Sequence, residues 1–209
     1  MNTLLIRLIA PMQSWGVQSL YDDRDSAREP SKSGVIGLLC AALGRPRWES
    51  VADLAALRMG VRIDREGTLQ TDYQTAHAKK TVVSRRAYLS DAAFLVGLEG
   101  EAGLLNELQQ ALAHPYWTLY LGRKSFPPSE SVWLSDGVRI GEDLRTALTR
   151  YPRLVTVPSS NDLRLRFVFE DPLAGGAAVA DVPISFAERR FQVRRVCTEF
   201  IEIPNVSGG

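Results

Sequence analysis

Hydrophobic positions near the start of the chain alternate as in a strand. Leu4, Ile6 and Leu8 fall on one side, and Leu5 and Ile9 with Arg7 on the other. Both sides are mostly apolar, so the pattern predicts a central strand buried on two faces. Pro11 has no amide hydrogen for a ladder and ends it. Pro30-Ser31-Lys32-Ser33 then starts a helix, with Ser31 or Ser33 as N-cap. Val35, Ile36, Leu38, Leu39, Ala42 and Leu43 surround nearly the whole of it, which predicts a buried helix, and Gly44 stops it.

Further along, the spacing predicts a short helix over 49–57, a strand over 59–64, a turn at Glu66-Gly67 and a strand over 92–98. Residues 101–114 form an amphipathic helix with Leu104, Leu105, Leu108, Ala111 and Leu112 inward. A helix over 142–151, a strictly alternating strand over 163–169 and short strands over 191–196 and 199–203 complete the pattern. Residues 17–29 read as an exposed loop, 152–162 as a linker and 174–177 as a turn. Residues 72–90 are the least core-like and read as a long hairpin projecting from the domain. Leaving the short helix aside, the order is strand, helix, strand, strand, helix. Such an α+β order commonly closes with a fourth strand in the ferredoxin-like arrangement, here near 117–120 or near 132–134.

Composition narrows the class. The 209 residues suit one large domain or one with a smaller appendage, and the 45% hydrophobic fraction is ordinary for a folded soluble protein. No apolar run approaches the roughly 20 residues of a membrane helix. No basic region or small-residue cleavage site precedes the first strand, so no signal peptide is expected. Cys40 and Cys197 are far apart, which fits reduced thiols in a cytoplasm. Without CxxC or HxxxH spacing no structural zinc, and no other cofactor, is expected.

Net charge is only +1, so distribution matters more than total. Between Tyr73 and Ser90 there is no acid, while Lys79, Lys80, Arg85 and Arg86 are present. Arg123 and Lys124 follow, then Arg189, Arg190, Arg194 and Arg195. The separated signs suggest a basic face for a polyanion, although any single Arg-Arg pair is more simply solvated charge.

Two stretches carry candidate chemistry. Gln13, Ser14, Trp15 and Gly16 put an amide, a hydroxyl and an indole at a strand end, as a binding surface does. Residue type alone favours the plainer reading, a loop whose Trp15 plugs the core. At the start of the buried helix, free amide hydrogens, the positive dipole end, two hydroxyls and Lys32 suit a phosphate. Ordinary capping accounts for them equally well.

The blocks RLIAPMQSWG, SGVIGLLCAALG and YLGRKS, with RAYLSDAAFLV between them, occur in an order and spacing that resemble the RAMP-superfamily CasD-type subunits of the type I-E CRISPR Cascade complex. The likeness covers nearly the whole chain. It implies an α+β fold with a ferredoxin-like (RRM-like) core, a projecting β-hairpin thumb and a small C-terminal β-rich part. The expected division is 1–151, with the thumb at about 72–90, and 152–209. The implied function is to hold the 5′ handle of crRNA as a structural subunit in antiviral defence. The implied partners are the Cascade backbone subunits and the large subunit, with target DNA met only through the complex and no membrane. By position, Gln13, Trp15 and Gly16 would lie at the handle-binding surface, with Lys32, Ser33 and Gly34 near its phosphates. Tyr73, His77, Lys79, Lys80, Arg85, Arg86 and Tyr88 would lie on the thumb, and Gly122, Arg123, Lys124 and Ser125 in a glycine-containing loop.

Two other readings compete. His77 and Lys79, with Tyr73 or Tyr88, would supply an acid or base and a cation for metal-independent cleavage of repeat RNA by a ribose 2′-hydroxyl. His77 beside lysines is more commonly a surface residue, and His114 sits at a helix end where it meets carbonyls. The near-neutral charge also fits an assembly module that never touches RNA.

Overall fold

The strand apolar on both sides lies inside a sheet, as that pattern requires. A computed structural model describes residues 1–16, 23–77, 81–155, 164–171, 173 and 175–203. In chain order these residues form β1 (Asn2–Ile9), β2 (Met12–Gln13), β3 (Asp23–Arg24), α1 (Lys32–Leu43), α2 (Ala52–Ala55), β4 (Arg58–Arg65), β5 (Thr68–His77) and β6 (Thr81–Ser90). They continue with β7 (Ala93–Gly100), α3 (Ala102–Ala113), β8 (Val138–Ile140), α4 (Leu144–Arg150), β9 (Arg164–Glu170), β10 (Ala177–Ser185) and β11 (Arg190–Glu202).

A seven-stranded sheet runs β10-β11-β9-β4-β7-β1-β8, with every neighbouring pair antiparallel. β1 is held by β7 along its whole length, from Asn2 opposite Gly100 to Ile9 opposite Ala93. Helices cover both faces. Leu4, Ile6 and Leu8 pack with Ile36, Leu39, Leu105 and Leu108 of α1 and α3. Leu5 and Leu95 pack on the other side with Leu144 and Leu148 of α4 and with Phe167 of β9. The architecture is thus mixed helix and sheet, with hydrophobic cores on both sides of one antiparallel sheet.

A second sheet is built on β6. β5 pairs with its full length, β2 meets it at Leu89 and Ser90, and β3 runs parallel to it at Arg85 and Arg86. Residues 72–77 and 81–90 therefore lie in two antiparallel strands paired with each other, the first beginning earlier, at Thr68; residues 78–80 lie outside the described residues.

α4 is fastened from beneath. The Arg62 side chain of β4 is fully buried and its guanidinium donates to the carbonyls of Leu148 at 2.8 Å and Pro152 at 2.7 Å. The same group binds the Asp64 carboxylate at 2.6 and 2.9 Å, and Asp64 accepts the Leu154 N–H at 2.6 Å. A cation at a helix C-terminus meets the negative end of its dipole.

Some expectations need correction. The strand beside β1 is Val138–Ile140 and not 117–120 or 132–134, although Val132 does accept the Arg7 N–H at 3.0 Å. The chain from Ser129 onward follows β1 irregularly, bonding Ile9, Arg7 and Leu5 before a ladder forms. The short helix shrinks to Ala52–Ala55, and the two final strands are one, Arg190–Glu202. β10 went unread because its alanines carry little strand preference and Pro183 argues against a ladder; it is an edge strand, where proline is tolerated. The predicted linker lies mostly outside the described residues, as do residues 17–22 of the predicted loop. Among the described residues no helix is long and apolar enough to cross a membrane, and no cluster of three His, Cys, Asp or Glu side chains suits a metal.

Candidate nucleic-acid interface

The start of α1 is occupied by the protein itself. Ser31 is the N-cap, its hydroxyl accepting the Gly34 N–H at 3.3 Å. The Lys32 N–H, which would have met a phosphate, donates to the Asp181 carboxylate of β10 at 2.7 Å. Arg194 of β11 grips both oxygens of that carboxylate at 2.6 and 2.9 Å. The Lys32 ammonium is turned inward onto Glu170 of β9 at 3.0 and 3.1 Å. Burial lowers the pKa of Lys32 from its ordinary value, while Glu170 pulls it the other way. Lys32 is only 2% exposed, so it is withdrawn from any external phosphate, a correction to the sequence expectation. Ser33 and Gly34 are partly exposed on the outer side of the same turn.

Trp15 is 1% exposed and Gln13 fully buried. The indole N–H donates to Gln13 Oε1 at 3.2 Å, and the Gln13 amide donates to the Ala92 and Leu8 carbonyls at 2.8 and 3.3 Å. Each polar atom of this pair has an internal partner, as buried polar groups require. Trp15 presses so closely on α1 that a Cβ on Gly34 would lie 2.9 Å from its ring. The plainer reading of Trp15 therefore describes its place, and neither side chain is positioned to stack on or read a base. Gly16 follows as an exposed residue.

Their role is to hold a junction. The Ser14 N–H donates to Leu121 at 3.1 Å, and its hydroxyl donates to the Ala87 carbonyl of β6 at 3.3 Å. Gly122 has φ +91°, and a Cβ there would lie 1.8 Å from the Ser14 carbonyl oxygen, so only glycine fits. The loop after it is closed by bonds from Leu121 to Phe126 and from Phe126 to Arg123, each 2.8 Å. Arg123 donates to the same Ala87 carbonyl at 2.7 Å and lies over the Phe126 ring at 5.4 Å from its centre. The Tyr88 ring is 6.0 Å from that of Phe126. Lys124 and Ser125 are exposed at the loop tip.

Strand alternation sorts the hairpin residues onto two faces. Tyr73, which is 63% exposed, stands opposite Arg85, whereas Arg86 and Tyr88 stand on the other face opposite Asp72 and Gln70. The junction thus gathers Arg86, Tyr88, Gly122, Arg123, Lys124 and Ser125, and leaves Tyr73 and Arg85 on the far side of the hairpin. His77 ends β5, but its side chain, with Lys79 and Lys80, lies outside the described residues. Sequence reasoning named Ser14 in the strand-end turn but not its bonds to β6 and to the start of the 122–125 loop, which join the three segments. It also missed Trp48, Trp117 and Tyr120, which are 82%, 44% and 41% exposed, an unusual density of open aromatic rings.

By fold and site the chain falls among mixed α+β proteins that display a cationic, aromatic surface on an antiparallel sheet. It matches the family described as CRISPR-associated protein (Cas_Cas5) over residues 3–197. The chain belongs to this Cas5 family. It is similar to the CRISPR system Cascade subunit CasD of Escherichia coli (strain K12), with 31% identity over 173 residues, 71% of this chain and 76% of that protein. A solved structure described as a Cas protein superposes with a TM-score of 0.83 at 48% identity, covering 97% of this chain and 98% of the other. A chain of a CRISPR RNA-guided surveillance complex superposes with a TM-score of 0.80 at 30% identity, covering 97% and 91%.

Proposed function

We propose that this chain is a non-catalytic, RNA-binding subunit of a CRISPR Cascade surveillance complex, holding the 5′ handle of crRNA and supporting assembly. The observation that carries the reading is the junction of the Ser14 turn, β6 and the 122–125 loop. Three segments distant in sequence meet there through Ser14, Ala87 and Gly122 and display Arg86, Tyr88 and Lys124 together. The likeness to CasD and to a chain of an RNA-guided complex supports it.

The strand order β8-β1-β7-β4, with α1 and α3 on one face, supports a ferredoxin-like core. The β5–β6 hairpin is its thumb, residues 1–151 the domain that includes it, and residues 152–209 the C-terminal β-rich segment, whose strands β9, β10 and β11 join the same sheet. The partners are the crRNA handle, the backbone subunits and the large subunit of the complex, in the cytoplasm. Arg86, Tyr88, Arg123, Lys124 and Ser125 meet the RNA at the junction, with Tyr73, Arg85, His77, Lys79 and Lys80 along the hairpin. Gln13, Trp15, Gly34 and Gly122 position that surface and do not read the RNA themselves. The grip is non-covalent: cations neutralise phosphates, and unpaired bases lie against aromatic rings.

A salt titration by filter binding tests this with RNA bearing or lacking the handle. The Arg123→Ala/Lys124→Ala variant should bind handle RNA more weakly. Its salt slope should flatten by about 0.7 for each phosphate that is no longer neutralised. Lys124→Ala alone, which disturbs no bond within the loop, should give the smaller change in the same direction. Unchanged slopes in both variants would remove the loop from the site. RNA recovered from the wild-type protein should be intact; sequence-specific cuts lost in His77→Ala would instead favour the nuclease.

A further inference from the structure

β4 runs on into β5, and β6 into β7, yet the two pairs belong to separate sheets. Between them stand a bulge at Ile63–Arg65 and two residues with left-handed backbone, Gly67 at φ +70° and Asp91 at φ +58°. Such a break leaves the direction of the β5–β6 pair to whatever grips its root. On the β6 side the grip is backbone. β2 pairs with Leu89 and Ser90, and the Asp91 N–H donates to the Pro11 carbonyl at 3.0 Å. On the β5 side it is a side chain. Arg166 Nε and Nη2 donate to the two carboxylate oxygens of Glu66, in the turn before β5, at 2.7 and 2.8 Å.

Arg166 is a fixed post. It lies in β9, in register with Ile63 of β4 on one side and Phe200 of β11 on the other. Its Nη1 donates to Glu29 at 3.0 Å. Glu29 ends a loop that is bonded to the turn carrying Ser14. The Ala27 N–H donates to the Trp15 carbonyl at 2.9 Å, and the Trp15 N–H donates to the Ser26 hydroxyl at 3.0 Å. One guanidinium thus joins β9, the root of β5 and the loop behind the Ser14 turn.

We propose that Arg166 is a positioning residue for RNA binding: by holding Glu66 and Glu29 together, it fixes the direction in which the β5–β6 pair presents its cations to the RNA. The inference rests on the RNA-binding reading above. Two features favour direction over stability as its role. The Glu66 side chain is 49% exposed, and so open an ion pair contributes little to folding, whereas a two-bond arginine–carboxylate contact fixes orientation. Arg166 also grips the strand that β2 and β3 do not reach, since both of them pair with β6.

The test uses the full chain with nitroxides carried on p-acetylphenylalanine at Val83, exposed on β6, and at Glu107, exposed on α3. Double electron–electron resonance then reports the spacing between the β5–β6 pair and the body. Arg166→Gln should broaden that distance distribution. If the fixed direction falls from nearly all molecules to about a tenth to a third of them, handle RNA binds about 3- to 10-fold more weakly. The salt slope should stay as in the wild type, because the bound RNA meets the same cations. Glu66→Gln should move both readouts the same way by less, with its urea midpoint near that of the wild type. The reversed pair Arg166→Glu/Glu66→Arg should narrow the distribution again and recover most of the affinity. A wild-type distribution in both single variants, a broadened one with unchanged affinity, or a loss that the reversed pair does not recover would overturn the positioning role. A flattened slope in Arg166→Gln would also overturn it, because Arg166 would then touch the RNA itself. Wild-type protein that binds no handle RNA would overturn the reading above and this inference with it, a result told apart from the others because no variant is involved.

Discussion

At the start of α1 stand Ser31, Lys32, Ser33 and Gly34; in the 122–125 loop stand Gly122, Arg123, Lys124 and Ser125. Each stretch packs cation, hydroxyl and glycine into four residues, and each suits a phosphate by composition. In the fold they part. The α1 start lies beneath the C-terminal strands, and a carboxylate 149 residues away takes the place a phosphate would have. Glu170 takes the ammonium as well. The loop lies at the rim, where a backbone carbonyl and an aromatic ring hold Arg123 and the Lys124 side chain points outward from an exposed tip. A helix start asks for an anion, but it does not ask that the anion come from outside.

Removing the internal anion should produce the largest effect. Asp181→Ala leaves the Arg194 guanidinium, whose side chain is 8% exposed, without its partner, and opens the first N–H of α1. Breaking one side of a buried pair costs about 3–5 kcal/mol. Urea unfolding should register that loss, while the salt slope for RNA binding stays as in the wild type. The comparison breaks if the variant is as stable as the wild type and binds RNA more tightly, because the α1 start would then be an open phosphate site that Asp181 merely blocks.

Local order and long-range pairing were not equally legible in the sequence. β1 read as a strand buried on both faces because every position contributes to the alternation, and it lies so. α1 read from Ser31 or Ser33 to Gly44 because both caps are local; the structure makes Ser31 the N-cap, and the cap glycine has φ 73°. The partner of the Lys32 N–H was invisible, since nothing near Lys32 announces Asp181. The same holds for the irregular run from Ser129 to β8 along β1, where single backbone bonds and no hydrophobic period mark the path. Of the candidate site, the loop and the β6 cations were legible as charge. That Gln13 and Trp15 complete each other inside the core follows from a bond between residues two apart, which sequence alone leaves as either core or surface.

A second comparison isolates the junction itself. Gly122 and Gly141 both have positive φ, +91° and +78°, but a side chain at Gly141 meets nothing within 4 Å whereas one at Gly122 meets the Ser14 carbonyl. Gly141→Ala therefore carries backbone strain alone, and Gly122→Ala carries strain plus a collision with backbone. The additional overpacking is of order 1–3 kcal/mol. Gly122→Ala should lose that much more stability than Gly141→Ala in urea unfolding. It should also weaken handle RNA binding, because the loop must move off Ser14. Equal RNA affinities in the two variants would mean that the loop's position does not matter to binding.

The smallest expected effect concerns a carboxylate that does openly what Asp181 does under cover. Asp143 caps α4, accepting the Thr146 N–H at 2.7 Å, and that bond holds its pKa below the ordinary carboxylate value. A depressed folded pKa means the unfolded chain binds the proton first as pH falls. The stabilisation is therefore present above the unfolded pKa and is lost as pH drops through the folded one. Asp143→Asn keeps a capping oxygen and removes only the charge. At neutral pH it should cost about 0.3–1 kcal/mol, the exposed helix-dipole range, with the difference from wild type vanishing in acid. A loss at neutral pH comparable with that of Asp181→Ala would show that burial is not what separates the two carboxylates, because N–H to carboxylate chemistry is common to both. The burial argument at the α1 start would then fail with it.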